Sequence, residues 1–151
     1  MKNVIQFFIL IVLSLFIHTN SFNQTTTPGS SIIYKTGNPS DWPKEKDAVI
    51  AASKNHKILL ENDNVRVLEV TVLPGETEPV HSHRWPSVLY MQSAGEIIDR
   101  DGEGTIIFDS RQLPTPPTFP MTMWKEPEAP HSIENLSKTI TLRLIRVEIK
   151  K

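Results

Sequence analysis

The stretch Pro74-Gly75-Glu76-Thr77-Glu78-Pro79-Val80-His81-Ser82-His83 decides how the rest of the chain is read. Pro-Gly is a turn signal, and the residues after it read as extended chain. Side chains alternate between the faces of a strand, so His81 and His83 project to one side while Ser82 points to the other. Two imidazoles on one face can hold one metal ion.

On either side of this stretch the pattern is that of short strands. Upstream, Ile58-Leu59-Leu60 and the polar turn Glu61-Asn62-Asp63-Asn64 lead into Val65 to Leu73. There the apolar alternation starts on odd positions (Val65, Val67) and continues on even ones (Leu68, Val70, Val72), which predicts a bulge, a sharp twist, or two partly buried faces. Downstream, Ser87 to Gln92 and Glu96-Ile97-Ile98 read as strands, and a turn at Asp101-Gly102 and Gly104 leads into Thr105 to Phe108. Leu113 to Pro120 is too proline-rich for a central strand and is expected as a stiff surface loop or edge. Met121 to Lys125 is extended again, with Pro127 and Pro130 breaking it. Thr139 to Ile149 is the clearest strand, with a bulge expected at Leu144-Ile145 and an edge through which a homodimer could form. Many short strands and no long helical period in the body predict an all-β sandwich or barrel.

The N-terminus has a different composition. Met1 to Ser21 is expected to be a secretory signal: Lys2 opens it, Val4 to Ile17 is apolar apart from Gln6 and Ser14, and Thr19 and Ser21 precede a cut at Phe22. The alternative is an uncleaved anchor, but the run falls short of the about 20 apolar residues that span a bilayer. The expected product is exported, periplasmic or extracellular, with no stable membrane insertion once the signal is removed. Phe22 to Ser40 reads as a flexible linker and Asp41 to Lys151 as one domain. At the start of that domain, Ser40 or Asp41 is expected to cap a helix start. Asp47 to Ala52 should form a short helical segment whose Ala48, Val49 and Ala51 cover one end of the core.

Composition excludes several classes. The net charge is −1 and no Lys or Arg run occurs, so nucleic acid and anionic membrane surfaces are not expected partners. With no cysteine, disulfides, thiolate metal sites, a cysteine nucleophile and a lipidated anchor are all excluded. A metal here must be held by nitrogen and oxygen.

The histidine pattern resembles the cupin superfamily. The first cupin motif, Gly-x5-His-x-His-x3,4-Glu-x6-Gly, is matched by Gly75, His81, His83 and Gly95. The second, Gly-x5-Pro-x-Gly-x2-His-x3-Asn, is matched by His131 and Asn135, with Pro120, Glu126 and Glu128 where Gly, Pro and Gly are usual. The resemblance spans roughly Leu59 to Ile149 and implies a single cupin double-stranded β-helix, a jelly-roll barrel. It also implies a divalent metal site made by His81, His83 and His131, the three-histidine variant found in some cupin dioxygenases. The motif glutamate is missing, its position falling on Ser87 or Val88. Three neutral imidazoles leave the full charge on the ion and several positions open, so a small polar or chelating molecule is the implied guest. Iron(II) suits redox chemistry there, and zinc, manganese and nickel are allowed by ligand type.

Other chemistry-bearing residues have plainer readings. His56 lacks a partner pattern and is expected as a surface or cap residue. Glu76, Glu78, Glu126 and Glu128 are expected in loops near the motifs, with one of them available as an outer-shell base or replacement ligand. Ser87 either hydrogen-bonds a metal-bound water or simply fits a strand. Trp85, Tyr90, Met91, Phe119, Met123 and Trp124 either line a pocket over the metal or belong to the core. The sequence identifies no catalytic residue. Two functions stand: a metal-dependent enzyme with dioxygenase-like chemistry, and a non-catalytic module that binds or senses a metal or small molecule. A metal-free epimerase would need a histidine base and a tyrosine acid, and no such pair can be located.

Overall fold

The computed structural model describes residues 37–150 of the chain. The expected signal Met1–Ser21 and all but the end of the expected linker lie outside them. A 3-10 turn over Pro39–Asp41 opens the described chain, and its cap is Asn38, whose side chain accepts from the Ser40 N–H, in place of the expected Ser40 or Asp41. After a second 3-10 turn at Lys44–Lys46, Asp47 caps the short helix α1 (Ala48–Ala51) by accepting from the Val49 N–H. Ala48 is fully buried and Val49 packs against the core, as expected of a segment covering one end of it.

Nine strands follow: β1 (His56–Glu61), β2 (Val65–Val72), β3 (His81–His83), β4 (Ser87–Ser93), β5 (Ile97–Asp101), β6 (Ile106–Asp109), β7 (Met121–Lys125), β8 (Glu128–Asn135) and β9 (Leu142–Ile149). They form a five-stranded sheet in the order β1-β2-β9-β4-β7 and a four-stranded sheet in the order β3-β8-β5-β6. Every strand pair is antiparallel. Leu113 to Pro120 is the expected exposed loop, from which only Phe119 turns in against the core.

The registers explain why the apolar pattern changed phase. Across β7, β4, β9 and β2 the inward rows read Lys125-Ser87-Glu148-Arg66, then Met123-Leu89-Arg146-Leu68, then Met121-Met91-Leu144-Val70. The first row is polar, the second mixed and the third apolar, so the barrel has an oily end and a polar end. In β2 the inward phase is even throughout, with Arg66 taking one inward place, so the change of phase is two partly buried faces and not a bulge. In β9 the expected bulge at Leu144-Ile145 is absent: the strand pairs without a break against β2, and Arg146 and Glu148 continue the inward phase set by Leu142 and Leu144. That strand also begins later than expected, at Leu142. It lies between β2 and β4, so both its edges are paired and it offers none to a second copy.

Pro130 does not break the chain either, because β8 runs through it. His81 faces His131 and His83 faces Glu128, so Ala129 and Pro130 lie opposite Ser82 alone, and the proline that cannot donate sits at this irregularity. On the solvent side of the five-stranded sheet, Leu60, Val67, Val147, Val88 and Trp124 form one row across all five strands. Leu60, Val88 and Trp124 of that row are exposed.

Asn135 ties the end of β8 to both sheets. Fully buried, it donates from Nδ2 to the carbonyls of Val72 and Ile140 and accepts from the Ser137 N–H. Asn135→Ala leaves those backbone groups without partners, and a loss of about 2–4 kcal/mol is expected in urea unfolding. The folded variant should keep the metal content of the parent, because this side chain is spent on backbone.

Candidate metal centre

Four histidines meet at the polar end of the barrel. His81 and His83 come from β3, His131 comes from β8 directly opposite His81, and His56 opens β1 just after α1. Ring centroids lie 4.7 Å apart for His81–His131, 5.0 Å for His81–His83 and 5.9 Å for His83–His131. The three motif histidines therefore form one cluster. Ser82 points away from it, its hydroxyl donating to the Lys46 carbonyl beneath the N-terminal segment.

His56 belongs to the same cluster, contrary to its expected surface place. It is 3% exposed, with its ring 4.5 Å from His81 and 5.2 Å from His83. Its sequence neighbours Asn55 and Lys57 hide this. The cause is the turn after α1, where the His56 N–H and Nδ1 both meet the Ala52 carbonyl and aim the ring inward. Only the pairing of β1 with β2, which sets His56 opposite inward-facing Val70, gives a signal, and that pairing is not visible in a linear reading.

Each ring is held through Nδ1. The partners are the Ala52 carbonyl for His56 (3.2 Å), the Pro79 carbonyl for His81 (2.9 Å), Glu148 for His83 (2.7 Å) and Asp99 for His131 (3.0 Å). Carbonyls and carboxylates accept, so Nδ1 carries the proton and Nε2 keeps its lone pair. A ring fixed in this way is the usual support of a metal-ligating histidine. His131 Nε2 is buried without a hydrogen-bond partner, and so is Glu78 Oε2. Two overlapping trios have ligand atoms that all lie within 4.8 Å of one another: His56, His81 and His83, and His83, Glu128 and His131. The residues present fit a metal ion.

Protonation favours ligation at three of the four rings. Burial pushes His56 down to about 3, with the Arg146 charge adding to the effect. His81 and His83 lie well below the usual range, chiefly through burial and then through neighbouring positive charge, His131 for His81 and Arg146 for His83. His131 differs: burial alone would lower it, but Asp99 raises it.

Of the four glutamates read as loop residues, two are buried here. Glu78 lies 3.8 Å from His81 Nε2 and 3.9 Å from His56 Nδ1, and burial pushes its carboxyl up to about 8. Glu128 opens β8 and pairs with Arg146 at 2.6 Å and Lys125 at 2.8 Å. Burial would raise its pKa, but those two cations hold it well below the carboxylate range. By contrast, half-buried Glu76 accepts from the Leu73 N–H, and exposed Glu126 accepts from Trp124 Nε1.

Beneath the rings runs an ionic network. Glu148 accepts from His83 and from Arg66, and Arg66 also pairs with Asp47 at 2.9 Å. The position of the missing motif glutamate is the inward Ser87, since Val88 is exposed. Ser87 donates to the Trp85 carbonyl and accepts from Arg146 Nε at 3.0 Å, so its hydroxyl is engaged with protein. Met91 lies in the core and Phe119 and Met123 pack against it. Tyr90 and Trp124 are exposed away from the site, and Trp85 stacks under the Arg66 guanidinium at 4.8 Å.

No family model and no curated protein matches the chain. Solved structures do match. A cupin domain from Bordetella pertussis Tohama I is 21% identical with a TM-score of 0.52, covering 64% of this chain and 92% of its own. An RmlC-like cupin family protein with a double-stranded β-helix fold, from Methanocaldococcus jannaschii, is 14% identical with a TM-score of 0.45, covering 62% of this chain and 77% of its own. The likeness to the Bordetella domain, with two antiparallel sheets closing over the histidine cluster, shows that this chain has the cupin double-stranded β-helix fold.

Proposed function

We propose that this protein is a metal-dependent cupin that holds one divalent ion among His56, His81, His83 and His131 and acts on a small polar or chelating molecule by dioxygenase-like chemistry. The observation that carries the reading is the uniform support of the four rings through Nδ1, which leaves four Nε2 lone pairs for an ion. Charge supports it too. Two buried guanidiniums, Arg66 and Arg146, stand against four buried carboxylates, Asp47, Asp99, Glu128 and Glu148, with Glu78 protonated. The buried carboxylates outnumber the buried guanidiniums, which suits a cation.

When bound, such an ion supplies Lewis acidity and, for iron(II), access to dioxygen. The chain's own residues do the rest. Asp99 and Glu148 fix the tautomers of His131 and His83, α1 and β1 seat His56, and the ring of strands excludes bulk water. Glu78 holds a proton within 4 Å of two rings and is the group placed to give or take one at the site. The export segment read at Met1–Ser21 puts this chemistry outside the cytoplasm in our reading, and N-terminal sequencing of secreted protein should then begin at Phe22.

A second reading is binding without turnover, favoured by the depth of the rings, none more than 4% exposed. Oxygen uptake by the iron(II)-loaded protein, with small diketones, thiols and hydroxy acids, separates the two. Consumption with any of them supports the enzyme, and none with all of them supports the binder.

His83 belongs to both candidate trios, so His83→Ala should abolish stoichiometric metal in protein dialysed and measured by elemental analysis. His56→Ala and His131→Ala should each weaken affinity at least tenfold. Unchanged metal in His83→Ala would remove the site from this position.

The metal-free protein should also show a distinctive pH profile. Below pH 6.5 the depressed His56, His81 and His83 make the unfolded chain bind more protons than the folded one, so stability rises with pH. Glu78 acts the other way: its folded pKa of about 8 exceeds the unfolded 4.5, so its share of stability falls as pH climbs between them. The raised His131 likewise loses its share above 6.5. Stability to urea in chelator-treated protein is expected to decline from pH 6.5 to 8, and Glu78→Gln should flatten that decline. An undiminished decline in the variant would assign it elsewhere.

A further inference from the structure

Arg146 reaches the centre from the inner face of the five-stranded sheet, as Arg66 does through Glu148. It projects inward from β9 in the row beside Ser87 and Glu148. Two of its three nitrogens are committed: Nε donates to Ser87 Oγ at 3.0 Å and lies 3.7 Å from Glu148 Oε1, and Nη1 donates to Glu128 Oε2 at 2.6 Å. These contacts clamp the guanidinium plane. The third nitrogen, Nη2, is buried and has no hydrogen-bond partner. A buried N–H of a charged group left unpaired is costly, so such an atom marks the place of a missing acceptor.

The surroundings say which acceptor. Glu128 joins Arg146 directly to the trio it forms with His83 and His131, so the guanidinium stands one carboxylate away from the candidate centre. Arg66 Nη2 and His131 Nε2 are buried without partners as well; an unprotonated His131 Nε2 takes a cation, whereas a guanidinium Nη2 takes an anion or a carbonyl oxygen. The Arg146 charge also bears on His56, His81 and His83, all of which it disfavours as imidazolium. On β4 the neighbouring inward residue is Ser87, whose short side chain supplies no negative charge. A planar carboxylate matches a guanidinium edge and is at the same time a good oxygen ligand for a divalent ion.

We propose that the guest of this centre is a small carboxylic acid whose carboxylate is shared between the bound metal and Arg146 Nη2. This rests on the metal reading above. Arg146 then selects anionic over neutral chelators, and the fixed Nε and Nη1 contacts orient the acid.

The test uses the full chain loaded with Zn2+, whose content is measured first, and glycolate as probe, with glycolamide as its neutral counterpart. Calorimetry should show glycolate binding at one site per zinc and glycolamide at least tenfold weaker. Titrated per bound zinc, Arg146→Gln should bind glycolate at least tenfold more weakly than the parent, and Arg146→Lys should recover part of the loss. Because replacing a buried, paired arginine can unfold the barrel, the same titration is followed in the parent by arginine side-chain 15N NMR. The Arg146 Nε signal, assigned through its contact with Ser87, should move with the calorimetric midpoint. If zinc is held but glycolate does not bind, or binds without moving Arg146 and with equal strength in a folded variant, this inference is overturned and the metal reading survives. If no zinc is held, both fall together.

Discussion

Glu148 is the group on which the site depends. It is fully buried in the middle of the five-stranded sheet and accepts from two directions at once, from the His83 imidazole and from the Arg66 guanidinium. Arg66 passes the tie on to Asp47, which also caps α1, the short helix whose last turn seats His56. One carboxylate thus connects the tautomer of a ring on β3 with the position of a ring on β1. Burial raises its pKa, and Arg66 and Arg146 work against that rise. A buried charge with this many partners is costly to isolate, and removing both arginines would leave Glu148 without a cation under the histidines.

The oily end of the barrel was legible in the sequence because Leu68, Val70, Val72, Leu142 and Leu144 keep strict alternation. At the polar end, two partly buried faces, one of the readings of β2, are what the structure has, whereas the bulge read at Leu144-Ile145 in β9 is absent. Arg66, Arg146 and Glu148 occupy inward places, while Val65, Ile145, Val147 and Ile149 face outward, so linear pattern reading took the outward apolar residues for a change of phase. The histidine pair was visible through its spacing, and His131 through the likeness of its surroundings to the second cupin motif. His56, Glu78 and Glu128 were not, since each owes its burial to a pairing distant in sequence: β1 with β2, Glu78 N–H with the Ile133 carbonyl, and Glu128 with Arg146.

The first motif lacks its glutamate, and the structure shows what stands there instead. Ser87 occupies the inward place and holds Arg146, while Glu128 approaches from β8 with its charge already balanced by Arg146 and Lys125. The negative charge beside Ser87 therefore comes from β8 and is paired with cations. The histidine cluster is thus flanked by carboxylates that are themselves paired with arginine or lysine.

The outer row Leu60-Val67-Val147-Val88-Trp124 gives the central strands apolar residues on both faces. Such strands are poorly keyed, because a shift by a single residue would swap one greasy face for another at little hydrophobic loss. In β2 and β9 the shift is blocked by charge: it would turn Arg66, Arg146 and Glu148 out to solvent and break their pairing with Asp47, Glu128 and His83. The ionic groups under the histidines therefore also work as the teeth that set the strands in step, and a hydrophobic replacement there would loosen the alignment of the sheet before it cost the barrel any burial.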